Sequence, residues 1–151
     1  MTVRKKWLLP HSLLVIFLMQ PGVRASEEAQ ENAVWRVVNY WSEWCSPCRK
    51  EIPMLNALSQ ALDASKVKVV GVNFDEDPRE VTLRIADDLG IEFPILTREE
   101  IGNLNLRAPD VMPTTYILTP DNELAATLIG LQSREQMREQ LSRLGLLPAK
   151  Q

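Results

Sequence analysis

The stretch VVNYWSEWCSPCRKEIPMLNAL, residues 37–58, decides the fold. Its opening belongs to a longer run, VWRVVNYW at residues 34–41, dense in β-branched and aromatic side chains. Such a run reads as a buried strand. Residues 42–47 break it. From residue 48 to 62 the period changes, with Ile52, Leu55, Leu58 and Leu62 on one face of a helix. Pro53 lies inside that pattern and is expected to kink it by removing a backbone donor. The chain's two cysteines, Cys45 and Cys48, stand where strand gives way to helix.

That position suits thiol–disulfide exchange, which needs one thiolate to attack and a second thiol to resolve the mixed disulfide. Two intervening residues let the sulfurs bond with little backbone movement. Cys45 at a helix N-terminus meets unpaired N–H groups and a partial positive charge of about half a unit. Both stabilise the thiolate. Pro47 stiffens the turn and lacks an N–H that would need a partner there. Cys48, one turn inward, is expected to be the more buried, resolving thiol.

Further along the chain, residues 67–74 (VKVVGVNF) read as a second strand, apolar enough for the middle of a sheet. Asp77-Pro78-Arg79-Glu80 predicts a helix start with Asp77 at the N-cap. Val81, Ile85 and Leu89 continue its apolar face and Gly90 ends it. Residues 93–96 read as a short extended piece, and residues 97–112 carry no clear pattern. Residues 114–119 (TTYILT) predict a strand, 120–123 a turn and 124–129 its hairpin partner. Ser133 with Gln136 predicts a capping box for a last helix bearing Met137, Leu141 and Leu144, closed by Gly145. The order β-α-β-α-loop-β-β-α implies an α/β domain with a mixed central sheet and helices on both faces.

The first 25 residues read as an address. Arg4, Lys5 and Lys6 precede a largely apolar segment from residue 7 to 19, and Val23-Arg24-Ala25 suits cleavage before Ser26. The segment is short for a membrane span and interrupted by Pro10, His11 and Ser12. Removal as a signal peptide and retention as an anchor both send the domain to the periplasm, where disulfides persist. Residues 26–33 read as a polar linker, leaving a single domain over 34–147.

Composition bounds the rest. A chain that is 45% hydrophobic and 25% charged is an ordinary globular protein, neither disordered nor multi-spanning. Without the leader, 13 Lys and Arg face 20 Asp and Glu, a net charge of −7. An acidic domain without a basic stripe is a poor nucleic-acid binder. A structural zinc site needs four ligands. The chain offers two Cys and one His, the leader's His11, so no metal is assigned. Other uses of the thiols are a permanent disulfide, which stabilises little across so short a loop, and a Cu(I) site, with Met112 as a third soft ligand.

The segment 37–58, with VVGVNFDEDP, LGIEFPIL and MPTTYIL downstream, resembles the thioredoxin superfamily, and within it the extracytoplasmic TlpA/ResA/DsbE-like thiol–disulfide oxidoreductases. The resemblance implies a thioredoxin fold, with Cys45 as the exposed nucleophile and Cys48 as the resolving cysteine. It implies that Pro113 is a cis-proline lying against the cysteine pair, preceded by backbone that pairs with an extended substrate. Read from sequence alone, Pro113 only initiates a strand. Glu76 matches an acid that tunes the cysteines in several relatives, or is simply an exposed carboxylate. Trp44 would shield the thiolate, and Met112 would contact substrate or pack.

Asn39 stands where cytoplasmic thioredoxins carry a buried acid. It reads as a hydrogen-bonded core polar group, which leaves the proton-accepting role to Glu76, a water or the substrate. Trp41 reads as core, and Glu43, Arg49, Lys50 and Glu51 as a solvated rim of the helix start. Three departures from the family stand out. The N-terminal hairpin is absent or reduced, Val111 replaces a frequent Gly, and Asp121-Asn122 replaces Asp-Gly.

By resemblance, no cofactor is required and the partners are protein thiols and disulfides. Electrons would come from a membrane thiol carrier of the DsbD/CcdA type, in a reducing role such as cytochrome c maturation. The alternatives are an oxidase or isomerase on the same fold, a Cu(I)-binding chaperone, and a binding module with spectator cysteines.

Overall fold

The computed structural model describes residues 34–148. The leader expected at 1–25 and the linker at 26–33 lie outside the described residues. β1 (Trp35–Trp41) and β2 (Val67–Asn73) pair in parallel, with Val37 opposite Val69 and Asn39 opposite Gly71. β3 (Thr114–Leu118) runs antiparallel to β1, and β4 (Leu124–Ile129) antiparallel to β3. The mixed sheet has the order β2-β1-β3-β4. The extended piece near residue 95 adds a single parallel bridge to Gly71, whose N–H donates to the Pro94 carbonyl and whose carbonyl accepts from Leu96.

Strand alternation divides the core between the two faces. On one, Val37, Val69 and Ile117 meet Leu55 and Leu58 of α1 (Ser46–Ala61) and Met137 and Leu141 of α4 (Arg134–Arg143). Trp41, at the end of β1, packs with Cys48 of α1 and with Ile85 and Ala86 of α2 (Arg79–Asp88). On the other, Val38, Tyr40, Val70 and Val72 meet Ile101 and Leu104, from α3 (Arg98–Asn103) and its C-cap. Helices thus flank both faces, as the element order implies.

Three local readings change. α1 begins at Ser46, earlier than the apolar period indicates, and passes through Pro53. α2 begins at Arg79 with extended Pro78 at its N-cap, because Asp77 is committed elsewhere. The Asp77 carboxylate accepts from Asn73 Nδ2 at 2.9 Å and its carbonyl accepts from the Thr82 hydroxyl at 3.1 Å. The patternless stretch 97–112 contains α3, closed at its start by a Thr97–Glu100 capping box.

Gly71 is the close-approach point of the sheet. A Cβ there would stand 2.7 Å from Ile95 Cδ1, 2.9 Å from Trp41 Nε1 and 3.0 Å from Phe93 Cε2. The indole is rigid and fully buried, so it has little room to move aside. Gly71→Ala is therefore expected to cost about 1–3 kcal/mol through overpacking. Urea unfolding should show a lower midpoint with an unchanged slope. An unchanged midpoint would show that the Trp41 packing is loose.

Candidate active site

The turn between β1 and α1 is held from both ends. Phe74 N–H donates to the Trp41 carbonyl at 2.8 Å, tying the end of β1 to the residue after β2. Ser42 Oγ donates to Asp75 Oδ2 at 2.6 Å and accepts from Trp44 N–H at 3.3 Å. Cys45 is the N-cap of the sixteen-residue α1: its Sγ accepts from Cys48 N–H at 3.2 Å. A sulfur occupies the place where Ser, Asp or Asn usually caps.

Cys45 and Cys48 form a disulfide with Cα atoms 5.2 Å apart. Cys45 is half-buried, whereas Cys48 is 1% exposed against Trp41 and α2. The sequence expectation of an outer and an inner sulfur therefore holds. Trp44, 82% exposed, stands directly before the outer one.

Met112 and Pro113 come to the same place. The Met112–Pro113 peptide is cis. Met112 packs against the cluster that contains Trp41 and Cys48, as does Cys45. Pro113 is buried, and its carbonyl accepts from Gly130 N–H at 2.8 Å, which seats the loop after β4 beside it. Exposed Val111, Ile129 and Leu131 flank these residues and give the rim an apolar character.

Glu76 lies in another environment. Its backbone is left-handed (φ 54), its carboxylate stands 3.7 Å from Arg98 and its carbonyl accepts from the same guanidinium. The pair is open to solvent, the Glu76 side chain being 75% exposed.

Glu51 is not part of a solvated rim. It is 1% exposed. Its Oε2 accepts from Asn39 Nδ2 at 3.0 Å and its Oε1 from Gln132 N–H at 2.9 Å. Asn39 Nδ2 also reaches Thr115 Oγ1 at 3.0 Å, so Asn39 is a hydrogen-bonded core amide as expected. Burial pushes the Glu51 carboxyl above its usual range, and the bonds from Gln132 and Asn39 only partly oppose this. The reason lies in spacing: Glu51 follows Cys48 by three residues and so shares the buried side of α1. Arg49 and Lys50 are exposed as expected, and Arg49 donates to the Glu43 carbonyl. Among the described residues no group of three or more His, Cys, Asp or Glu is placed to hold a metal ion.

Comparison with known proteins gives a consistent grouping. Residues 21–127 match the AhpC/TSA family. Thiol-disulfide oxidoreductase ResA of Geobacillus thermodenitrificans is 27% identical over 69% of this chain and 59% of its own. Thioredoxin-like protein YneN of Bacillus subtilis is 32% identical over 70% and 62%. The chain thus spans about three fifths of the length of these curated relatives. Among solved structures, StoA from Bacillus subtilis superposes with a TM-score of 0.57 at 27% identity, covering 71% of this chain and 81% of that one. A DsbE-like thiol:disulfide interchange protein from Chlorobium tepidum gives 0.58 at 17% identity, over 79% and 84%, a likeness of fold. The thioredoxin-like fold expected from sequence is therefore present.

The Glu51 carboxyl makes stability depend on pH with a definite sign. Its folded pKa lies above its unfolded value, so the folded state holds the proton more tightly. Its contribution is full below the unfolded pKa and is lost as pH rises through the folded pKa. Glu51→Gln, which keeps an acceptor for Gln132 N–H, should flatten that decline. Urea midpoints measured from about pH 4 to pH 8 test it. Parallel wild-type and variant curves would remove the titration from Glu51.

Proposed function

The chain belongs to the AhpC/TSA family, and we propose that it is an exported thiol–disulfide oxidoreductase acting on other proteins through Cys45 and Cys48. The observation that carries the reading is the disulfide at the N-cap of α1, one sulfur accessible and one buried. The name of the ResA relative, a thiol-disulfide oxidoreductase, supports it. So does cis-Pro113, whose loop shares a hydrophobic cluster with the cysteines.

In the reducing direction, Cys45 Sγ attacks one sulfur of a partner disulfide as the thiolate. The partner's other sulfur leaves as a thiolate, and a mixed disulfide joins partner to Cys45. Cys48 then loses its proton and attacks Cys45 Sγ, and the second partner thiolate departs. Two electrons pass to the partner and the Cys45–Cys48 disulfide is left. Capping N–H groups and the helix dipole favour the Cys45 thiolate. Glu51, one turn along α1 from Cys48 on its buried side, is the carboxyl we assign to exchange that inner proton. The apolar rim of Trp44, Val111, Ile129 and Leu131 suits an extended, uncharged stretch of the partner.

The reducing direction, export by the leader and a DsbD/CcdA-type electron donor complete the proposal, with apocytochrome c thiols as a fitting client. No helix among the described residues is long and apolar enough to cross a membrane.

Insulin reduction by dithiothreitol tests the activity. Cys45→Ser should return the rate to the uncatalysed level, whereas Cys48→Ser should accumulate a mixed disulfide on a non-reducing gel. A Cys45→Ser variant as fast as wild type would overturn the assignment. Equilibration in thiol buffers, followed by Trp fluorescence, should place the couple nearer the thioredoxin value of about −270 mV than the DsbA value of about −120 mV. A potential near the latter would reverse the direction.

A further inference from the structure

Between the first half of α1 and the start of α4 runs a groove of about 520 Å³. Pro53, Met54 and Leu131 give it an apolar lining, and one cation stands on each side, Lys50 from α1 and Arg134 from α4.

The groove is held in place by the backbone around it. Gly130 N–H donates to the Pro113 carbonyl at 2.8 Å, and Gln132 N–H donates to Glu51 Oε1 at 2.9 Å. The segment between the cis-proline and α4 is thus pinned at two points. The Ser133–Gln136 capping box then sets where α4, and with it Arg134, begins. Leu131 belongs both to the groove and to the exposed apolar rim beside the disulfide, so the two surfaces are continuous.

Charge sets this side of the site apart. No acid lines the groove, neither Glu43 of the cysteine turn nor Glu135 of α4. Glu51 lies beneath it with one oxygen bound by Asn39 and the other by Gln132. Other charged groups around the cysteine end of the sheet are matched: Glu76 by Arg98, Arg107 by Asp110 and Asp75 by Ser42. Arg49 directs its guanidinium to the Glu43 carbonyl. Lys50 and Arg134 are exposed, and no carboxylate among the described residues pairs with either. Without its leader the chain carries a net charge of −7. Two uncompensated cations beside the reactive sulfur therefore reverse the local sign. A reversal of this kind steers and orients a partner of opposite charge.

We propose that this groove receives an acidic side chain of the protein partner, and so selects partners with Asp or Glu close to the reacting cysteine. The inference rests on the redox reading above. Lys50 is five residues along α1 from Cys45, a rise of about 7.5 Å. An extended chain advances about 3.3 Å per residue, which puts the acid roughly two to four residues from the partner's cysteine. It lies just beyond the uncharged stretch that meets the apolar rim.

Short capped peptides test the selection. Each carries one cysteine blocked as a disulfide with 2-mercaptoethanol, and one Glu, Gln or Lys about three residues before or after it. With the reduced protein at low salt, the Glu peptide of one series should react about fivefold faster than its Gln counterpart, and the Lys peptide more slowly still. The order should flatten as salt is raised to about 0.5 M. Lys50→Glu combined with Arg134→Glu should invert it, a gain for the Lys peptide that a misfolded protein could not show. Equal rates for the three peptides in both series, or an order unmoved by the double charge reversal, would overturn the proposal and leave the redox reading intact. If no peptide is reduced, the redox reading fails, and calorimetry with Ser-for-Cys peptides judges the groove alone. A preference for Glu that the double variant abolishes upholds it, and no preference overturns it.

Discussion

A sulfur at the N-cap of α1 is the constraint on which the rest of the molecule depends. The cap works only if the helix start is rigid and its first turn is fixed relative to the strand before it. Both conditions are met by long-range contacts. The end of β1 is tied to the residue after β2 through Phe74 N–H, and the turn is tied to the same loop through Ser42 and Asp75. Below it, Cys48 is pressed against Trp41, whose indole lies over Gly71 with no space for a Cβ between them. Sheet packing and thiol placement are thus one problem, and glycine at position 71 is part of its solution.

Glu51 extends this logic to the opposite wall. A carboxylate at 1% exposure is an expensive thing to place in a core unless its oxygens are bound. Here one oxygen takes Asn39 and the other takes the backbone of Gln132, eighty-one residues further along the chain. Gln132 follows the segment whose Gly130 N–H holds the Pro113 carbonyl. The carboxyl therefore connects the cysteine helix, the centre of β1 and the loop beside the cis-proline. The Asn39 amide can donate to Glu51 and Thr115 together, which an acid at that position could not do once ionised.

What was legible in the sequence followed from strong local rules. The strand–CxxC–helix junction, the final hairpin and the Ser133–Gln136 cap all depend on neighbours within a few residues, and all are present. Gly90 and Gly145 close their helices at positive φ as their positions imply, and Asn122 takes the left-handed turn conformation usual for Gly. α3 escaped because six residues carry too few apolar positions to make a period, although Thr97-x-x-Glu100 was a readable start. Glu51 escaped because residue type outweighed position: charge suggested solvent, while spacing from Cys48 put it inside. Asp77 looked like an N-cap, and only the fold shows Asn73 and Thr82 claiming it. The buried Trp41 indole N–H, left without a hydrogen-bond partner, had no sequence signature, since its isolation depends on what surrounds it.

Tyr40 and Trp41 show how one strand end can serve two purposes. Successive side chains of a strand point to opposite faces. Trp41 therefore goes to the disulfide side and packs on Cys48, while Tyr40 goes to the other side and packs with Val70 and Val72. Both are at the end of β1, just before the cysteine loop, and both are held by the same ladder to β2. A change at either face must pass through this short, fully paired segment to reach the other. Because its register is fixed on both sides by β2 and β3, it resists sliding, and the two faces are mechanically separate although their residues are adjacent in sequence.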